Sequence, residues 1–158
     1  MNITVISVGK IKEKYFTAAI DEYSKRLSRF AKLNIIEVAD EKIPDNASEK
    51  EIEQIKEKEG NKILAKLPQN SFVVTLCIEG KEHSSEELAK KIADISVTSS
   101  HITFIIGGSL GLSDTVKSKS ALRLSFGKMT LPHQLMRVVL LEQIYRAFKI
   151  NNNESYHK

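Results

Sequence analysis

"SFVVTLCIEG", Ser71 to Gly80, decides the fold class. From Phe72 to Ile78 only Thr75 breaks an apolar, largely β-forming run, which Gly80 ends. A strand with one wet face alternates polar and apolar residues. A strand apolar at nearly every position is covered on both faces, as in a parallel sheet with helices above and below. "HITFIIGG" (101–108) repeats the pattern.

Working outward, "NITVISVG" (2–9) reads as a first strand and "LNIIEVAD" (33–40) as a second. Between them residues 13–30 carry Phe16, Ile20, Tyr23 and Leu27 at helical spacing. Pro44 and Asp45-Asn46 mark a turn, and Ser48 with Glu51 forms a capping box that opens a helix to about Leu67. Ser84 or Ser85 caps the next helix, with Leu88, Ile92 and Ile95 inward. After the strand 101–108, "SLGLSDTV" leads into a short helix, "ALRLSF" (121–126) gives a fifth strand, and residues 132–150 form the final helix. Strands alternating with helices predict one α/β domain, residues 1–158, with a mainly parallel sheet.

The bulk numbers exclude several classes. Hydrophobic residues make 41% and charged residues 28% of the 158, as in a soluble globular protein. The lone Cys77 permits neither a disulfide framework nor a Cys-based zinc site, which fits a reducing cytoplasm. "MNITVISVGK" lacks the features of a signal peptide, and no apolar run is long enough to span a membrane. A soluble, cytoplasmic protein is expected. The net charge of +4 is unevenly spread: residues 1–118 hold 17 basic against 18 acidic side chains, whereas residues 119–158 hold seven against two. That asymmetry points to a polyanionic partner near the C-terminal elements.

Ligands of open α/β sheets sit at the carboxyl ends of the strands. Three such ends are candidates: Leu76 to Gly80, Gly107 to Gly111, and the glycine loop "LSFGKMTLP" (124–132). Together these loops can wrap a nucleotide-like molecule with backbone groups. "GGSLG" is neither a P-loop nor a dinucleotide fingerprint, and the four histidines lack metal-ligand spacing, so no metal is expected.

The final helix is apolar well beyond one stripe. Met136, Leu140, Ile144 and Phe148 are flanked by Leu135, Val138, Val139, Leu141 and Tyr145, which predicts a second body, a symmetric homodimer partner. His133 and Arg137 lie four apart on one face, fitting either an anchored helix end or a functional pair. The polar tail "NNNESYHK" is expected to fray, yet Tyr156-His157-Lys158 joins an aromatic, a titratable group and a cation, suited to RNA contact.

"VISVGK", "EKEG" (57–60), "VTL" (74–76), "FIIGGSLGLS" (104–113), "LSFGKMTLPHQLMRVVLLEQIYRAFKI" and the terminal "YH" before a basic residue occur in this order. Over essentially its full length the chain thereby resembles the RlmH-type SPOUT methyltransferases. The resemblance implies a C-terminal trefoil knot, here about residues 71–150, that binds S-adenosylmethionine. It also implies a homodimer whose knots meet, and methylation of N3 of a pseudouridine in 23S ribosomal RNA on the assembled ribosome. Carried onto this chain, Leu76, Gly107, Gly108, Leu124, Ser125, Phe126, Gly127, Lys128 and Met129 would hold the cofactor. His133, Arg137, Tyr156 and His157 would face the RNA, with one subunit's tail completing its partner's site. His133 or His157 would accept the N3 proton, and Arg137 could instead stabilise the deprotonated ring. The competing readings are a SPOUT enzyme acting on tRNA or another rRNA position, a non-catalytic RNA-binding protein, and a flavodoxin-like nucleotide module. The last would need an acidic cluster at the first strand's end, where "SVGKIK" offers lysines.

Overall fold

The computed structural model describes residues 1–158. The elements follow the predicted alternation: β1 (Asn2–Val8), α1 (Lys14–Leu27), β2 (Lys32–Val38), α2 (Glu49–Lys66), β3 (Phe72–Glu82), α3 (Ser85–Thr98), β4 (His101–Ile106), α4 (Asp114–Ser118), β5 (Leu122–Ser125) and α5 (His133–Asn151). The five strands form one sheet in the order β2-β1-β4-β3-β5, and every pairing is parallel.

The two-residue strand period sorts the core into two layers. Ile3, Val5, Val74, Phe104 and Leu124 face α1, α3 and α5, where Leu27, Leu88, Ile92, Leu140 and Ile144 meet them. Ile6, Val8, Val73 and Ile105 face the opposite way, onto Ile63 of α2 and Val116 of α4. Fully burying each such side chain is worth about 1.5–3 kcal/mol. The double covering explains why β3 and β4 lack alternation.

Local signals fix the helix starts. The Ser48 hydroxyl accepts the Glu51 N–H at 3.2 Å, and the Glu51 carboxylate accepts the Ser48 N–H in return. The same box forms at Ser84 with Glu87, so Ser84 rather than Ser85 is the cap. Pro132 sits at the N-cap of α5 instead of inside its first turn.

Two expectations are corrected. The broad apolar surface of α5 is covered largely from within the chain, because α1 and α3 share one buried cluster with it. No residue from His133 to Ile150 is fully exposed, and Leu135, Val138 and Val139 are left half-buried. A second body is therefore not needed to cover the whole stripe. The tail does not fray either. The Tyr156 ring packs edge-on against Tyr145 with centroids 5.0 Å apart, under the Arg146 guanidinium at 4.7 Å. No helix is long and apolar enough to cross a membrane.

Candidate active site

All five parallel strands end on one side of the molecule, and the loops that follow three of them enclose a cleft of about 720 Å³. The first wall comes from β3. Its ladder with β5 is interrupted: Leu76 and Lys81 both pair with Leu124, so residues 77–80 loop out of the strand. That excursion carries Cys77, Ile78 and Glu79 into the cleft. It returns at Gly80, where an added Cβ would lie 2.7 Å from the Arg123 carbonyl oxygen. Only glycine lets the two backbones touch there.

The second wall is the loop after β4. The Gly111 N–H donates to the Gly108 carbonyl at 3.0 Å, closing a tight turn whose backbone lines the cleft. A Cβ on Gly107 would meet Gly111 at 2.8 Å. The third wall follows β5. The Ser125 hydroxyl donates to the Ile78 carbonyl at 2.9 Å and accepts the Gly127 N–H at 3.1 Å. One buried serine thus ties this loop to the β3 excursion.

Of the residues expected to hold a cofactor, Leu76, Gly107, Gly108, Leu124, Phe126, Gly127 and Met129 line the cleft. Ser125 stands behind the lining as the tie just described, and Lys128 is exposed beside it without lining it. Ile78 lines the cleft as part of the candidate loop 76–80, whereas sequence reasoning missed Lys117 and Met136. The Lys117 ammonium lies 2.6 Å from the Glu79 carboxylate, which lowers the carboxyl pKa and raises that of the lysine. The β3 excursion and α4 bring them together, and no local pattern announces that contact. The mixture of apolar walls, backbone groups in tight glycine turns and few charges fits an adenosine-bearing molecule, and the volume is in the range of small-ligand sites.

His133, the first residue of α5, also lines the cleft. Partial burial, then the neighbouring Arg137 charge, push its pKa below the usual histidine value, while Asp40 opposes them. The ring is therefore neutral at pH 7, with a nitrogen free to accept a proton. Its Nε2 lies 4.0 Å from where Gly9 would carry a Cβ, and Gly9 has a φ of +91°. Glycine at the end of "VISVG" serves the left-handed turn, on which the ring rests at ordinary contact distance.

The other three residues expected at the chemistry are placed differently. Arg137 is only 3% exposed and spends its terminal nitrogens within the chain. NH1 donates to Glu37 at 2.6 Å, and NH2 to the carbonyls of Val8 at 2.9 Å and Gly9 at 2.8 Å. It anchors α5 to β1 and β2 and does not present an open cation to RNA. Tyr156 donates its hydroxyl to Glu142 at 3.2 Å. His157 accepts from Arg146 at 3.1 Å and donates to Glu86 at 2.8 Å, so both ring nitrogens are engaged. Glu142 is nine residues along α5 from His133, roughly 13 Å of rise. The tail and the cleft of one chain do not come together.

Comparison with known proteins agrees with this architecture. A family model described as "Predicted SPOUT methyltransferase" matches residues 1–157. The chain is 60% identical to ribosomal RNA large subunit methyltransferase H of Clostridioides difficile (strain 630) and 62% identical to that of Clostridium novyi (strain NT), covering the full length of both partners in each case. A solved methyltransferase from Legionella pneumophila, in complex with S-adenosylmethionine, shares the fold with a TM-score of 0.52 at 14% identity. That match covers 94% of this chain and 66% of the other. The chain belongs to the SPOUT methyltransferases, enzymes whose methyl donor is S-adenosylmethionine.

Proposed function

We propose that this enzyme methylates N3 of a pseudouridine in 23S ribosomal RNA, acting as a homodimer on the assembled ribosome. The observation that carries the reading is a neutral His133 on the wall of a cleft built by three strand-end loops. The full-length relatives named for large-subunit rRNA supply the substrate class.

Leu76, Gly107, Gly108, Leu124, Phe126, Gly127 and Met129 hold the cofactor, and the Ser125 tie keeps two of the three loops in register. When bound, S-adenosylmethionine supplies an electrophilic sulfonium methyl. His133 would take the N3 proton, leaving the ring nitrogen as the nucleophile for that methyl group. Most of the acceleration then comes from holding nucleophile and donor in line. A trefoil knot within residues 71–150 belongs to this reading through the family to which the chain belongs. The half-covered strip of Leu135, Val138 and Val139 is the surface on which a second copy seats. Because Tyr156 and His157 lie along the helix from their own cleft, they reach a methyl donor only in the partner's site. Lys128, exposed beside the cleft, contacts RNA phosphate.

Calorimetric titration with S-adenosylmethionine tests the site. The Ile78→Arg variant is the control, because Ile78 is 53% exposed and lines the cleft, so the change adds a cation without disturbing the core. Saturable binding lost in Ile78→Arg, with N3-methylpseudouridine formed on unmodified ribosomes, is expected. Ribosome binding with no cofactor binding would favour a non-catalytic RNA-binding protein.

A further inference from the structure

The segment "GKIKEKYF" (9–16) leaves β1 and opens α1 without lining the cofactor cleft. Its exposure alternates: Lys10, Lys12 and Lys14 are exposed, while Ile11 and Glu13 between them are half-buried. Backbone ties hold it in place. The Gly9 N–H donates to the Val38 carbonyl at 2.8 Å, the Ile11 N–H to the Glu37 carboxylate at 3.3 Å and the Thr17 N–H to the Glu13 carbonyl at 3.2 Å. A pinned loop thus presents three lysines outward, and none of them makes an ion pair within the chain. Tyr15 follows, 68% exposed, the one aromatic among the large apolar side chains left in solvent. Its ring leans on Phe16 with centroids 4.5 Å apart, which leaves most of it open.

No structural duty accounts for these groups. Lys14 stands in the first turn of α1, where the helix dipole disfavours a cation, and that turn holds no acid. Helices α2 and α3 open on acids instead. Four carboxylates lie near the segment. Glu37 is taken by Arg137 and the Ile11 N–H, and Asp21 lies about two turns along α1 from Lys14. Glu13 turns one oxygen out of solvent, and Asp40 flanks Gly9. None of the four forms an ion pair with these lysines. The segment also starts beside the chemistry. An added Cβ on Gly9 would lie 4.0 Å from His133 Nε2, so the Lys10 backbone stands within roughly 10 Å of that ring.

We propose that this segment seats the RNA strand that carries the target base, with Lys10, Lys12 and Lys14 on backbone phosphates and the Tyr15 ring stacked on an unpaired base. The proposal rests on the methyltransferase reading above and adds to it the surface that brings RNA to His133. Unpaired ammonium groups in a row suit a polyanion, whose counterions they release. An open aromatic among them suits a splayed base, which favours a single strand over a duplex, whose bases are already stacked. The cations used are on the first loop of the chain, outside the C-terminal quarter where the net positive excess lies.

The test is steady-state methylation of unmodified ribosomes by the full chain over a range of monovalent salt, which reads KM and its salt slope. The combined Lys10→Gln, Lys12→Gln, Lys14→Gln variant should raise KM roughly ten- to a hundred-fold at about 0.1 M salt and flatten the slope of log KM against log salt by about 2. Its kcat and its calorimetric affinity for S-adenosylmethionine should stay at the parent's values. Lys50→Gln, Lys58→Gln and Lys66→Gln together, at exposed positions of α2, remove the same charge and should leave KM within about two-fold of the parent's. Tyr15→Ala should raise KM about five-fold or more with the slope unchanged, and Tyr15→Phe should restore it. Equal weakening by the α2 variant would reduce the loop to its share of net charge and overturn the proposal. A parental KM in the loop variant or in Tyr15→Ala would do the same. Dissociation of the dimer by Tyr15→Ala, read by size-exclusion chromatography, would give the ring to the second copy instead of RNA. Failure of the parent to bind S-adenosylmethionine would count against the methyltransferase reading itself, and co-sedimentation of the same variants with ribosomes would then still decide the loop's part.

Discussion

Arg137 and Glu37, a hundred residues apart in sequence, meet at 2.6 Å, and the same guanidinium grips the carbonyls of Val8 and Gly9. This contact sets the start of α5 over the end of β1, and with it the position of His133. Removing the cation leaves two backbone carbonyls and a carboxylate without their donor. Arg137→Ala should cost about 3–5 kcal/mol, the range for breaking a buried pair. Glu37→Gln should cost less, because that carboxylate is partly solvated. Urea titrations of the two variants check the order, and Glu37→Gln proving the more damaging would contradict it.

The depressed His133 pKa sets a direction for pH effects. Folded His133 holds its proton less tightly than unfolded His133, so between the two values the unfolded chain binds more protons and stability rises with pH. Its contribution is full above the ordinary histidine value and is lost as pH falls through the folded one. For catalysis the same ring must be neutral, so kcat/KM should climb from acid to a plateau, with its inflection below the ordinary histidine value. His133→Asn should abolish the step and lower the plateau by about 10²–10⁴-fold, the span of general-base contributions. A rate profile in His133→Asn with the parent's inflection would assign the base elsewhere.

Glu59 predicts the opposite slope. It is 6% exposed, its carboxylate accepts the Glu41 N–H at 3.0 Å, and burial raises its pKa. Here the folded chain binds the proton more tightly, so stability falls as pH rises from the unfolded toward the folded value. Glutamine cannot ionise, and its carbonyl can still accept from Glu41. The stability of Glu59→Gln relative to the parent should therefore improve from pH 4 to pH 8. Differential scanning calorimetry across that range reads the crossing directly. A constant difference would mean that the Glu59 carboxyl does not titrate on folding.

How much of this was written in the sequence depends on the range of the interaction. The sheet was legible because β3 and β4 are apolar at consecutive positions, and the helix starts because Ser48 and Ser84 find their partners three residues on. The cleft loops were legible because glycines follow buried strands. Arg137 was not, since spacing gives the face that it shares with His133 but not Glu37 waiting on β2. The docking of Tyr156 on Tyr145 and the pairing of His157 with Glu86 are tertiary as well, invisible in a tail whose composition reads as polar. The excursion at residues 77–80 hid inside a run that looks like unbroken strand. Its reason is the double pairing of Leu124, a fact about the neighbouring strand.

The tail separates structure from catalysis. Deleting residues 155–158 removes the Tyr156 ring from Tyr145 and the His157 bridge to Glu86. Burial of one aromatic ring at a half-exposed site suggests a loss of about 1–2 kcal/mol, a few degrees in melting temperature for a chain of this size. The cleft of the same chain lies elsewhere, so cofactor affinity should stay within two-fold or so of the parent, a ratio worth about 0.4 kcal/mol. If the tail serves the partner's site, methylation must nonetheless collapse. Mixing the truncated chain with a full-tailed His133→Asn chain then decides the arrangement. In the heterodimer one cleft has both an intact His133 and a donated tail, so activity should return toward half the parent's. No recovery in a verified heterodimer would show that each tail works only with its own chain.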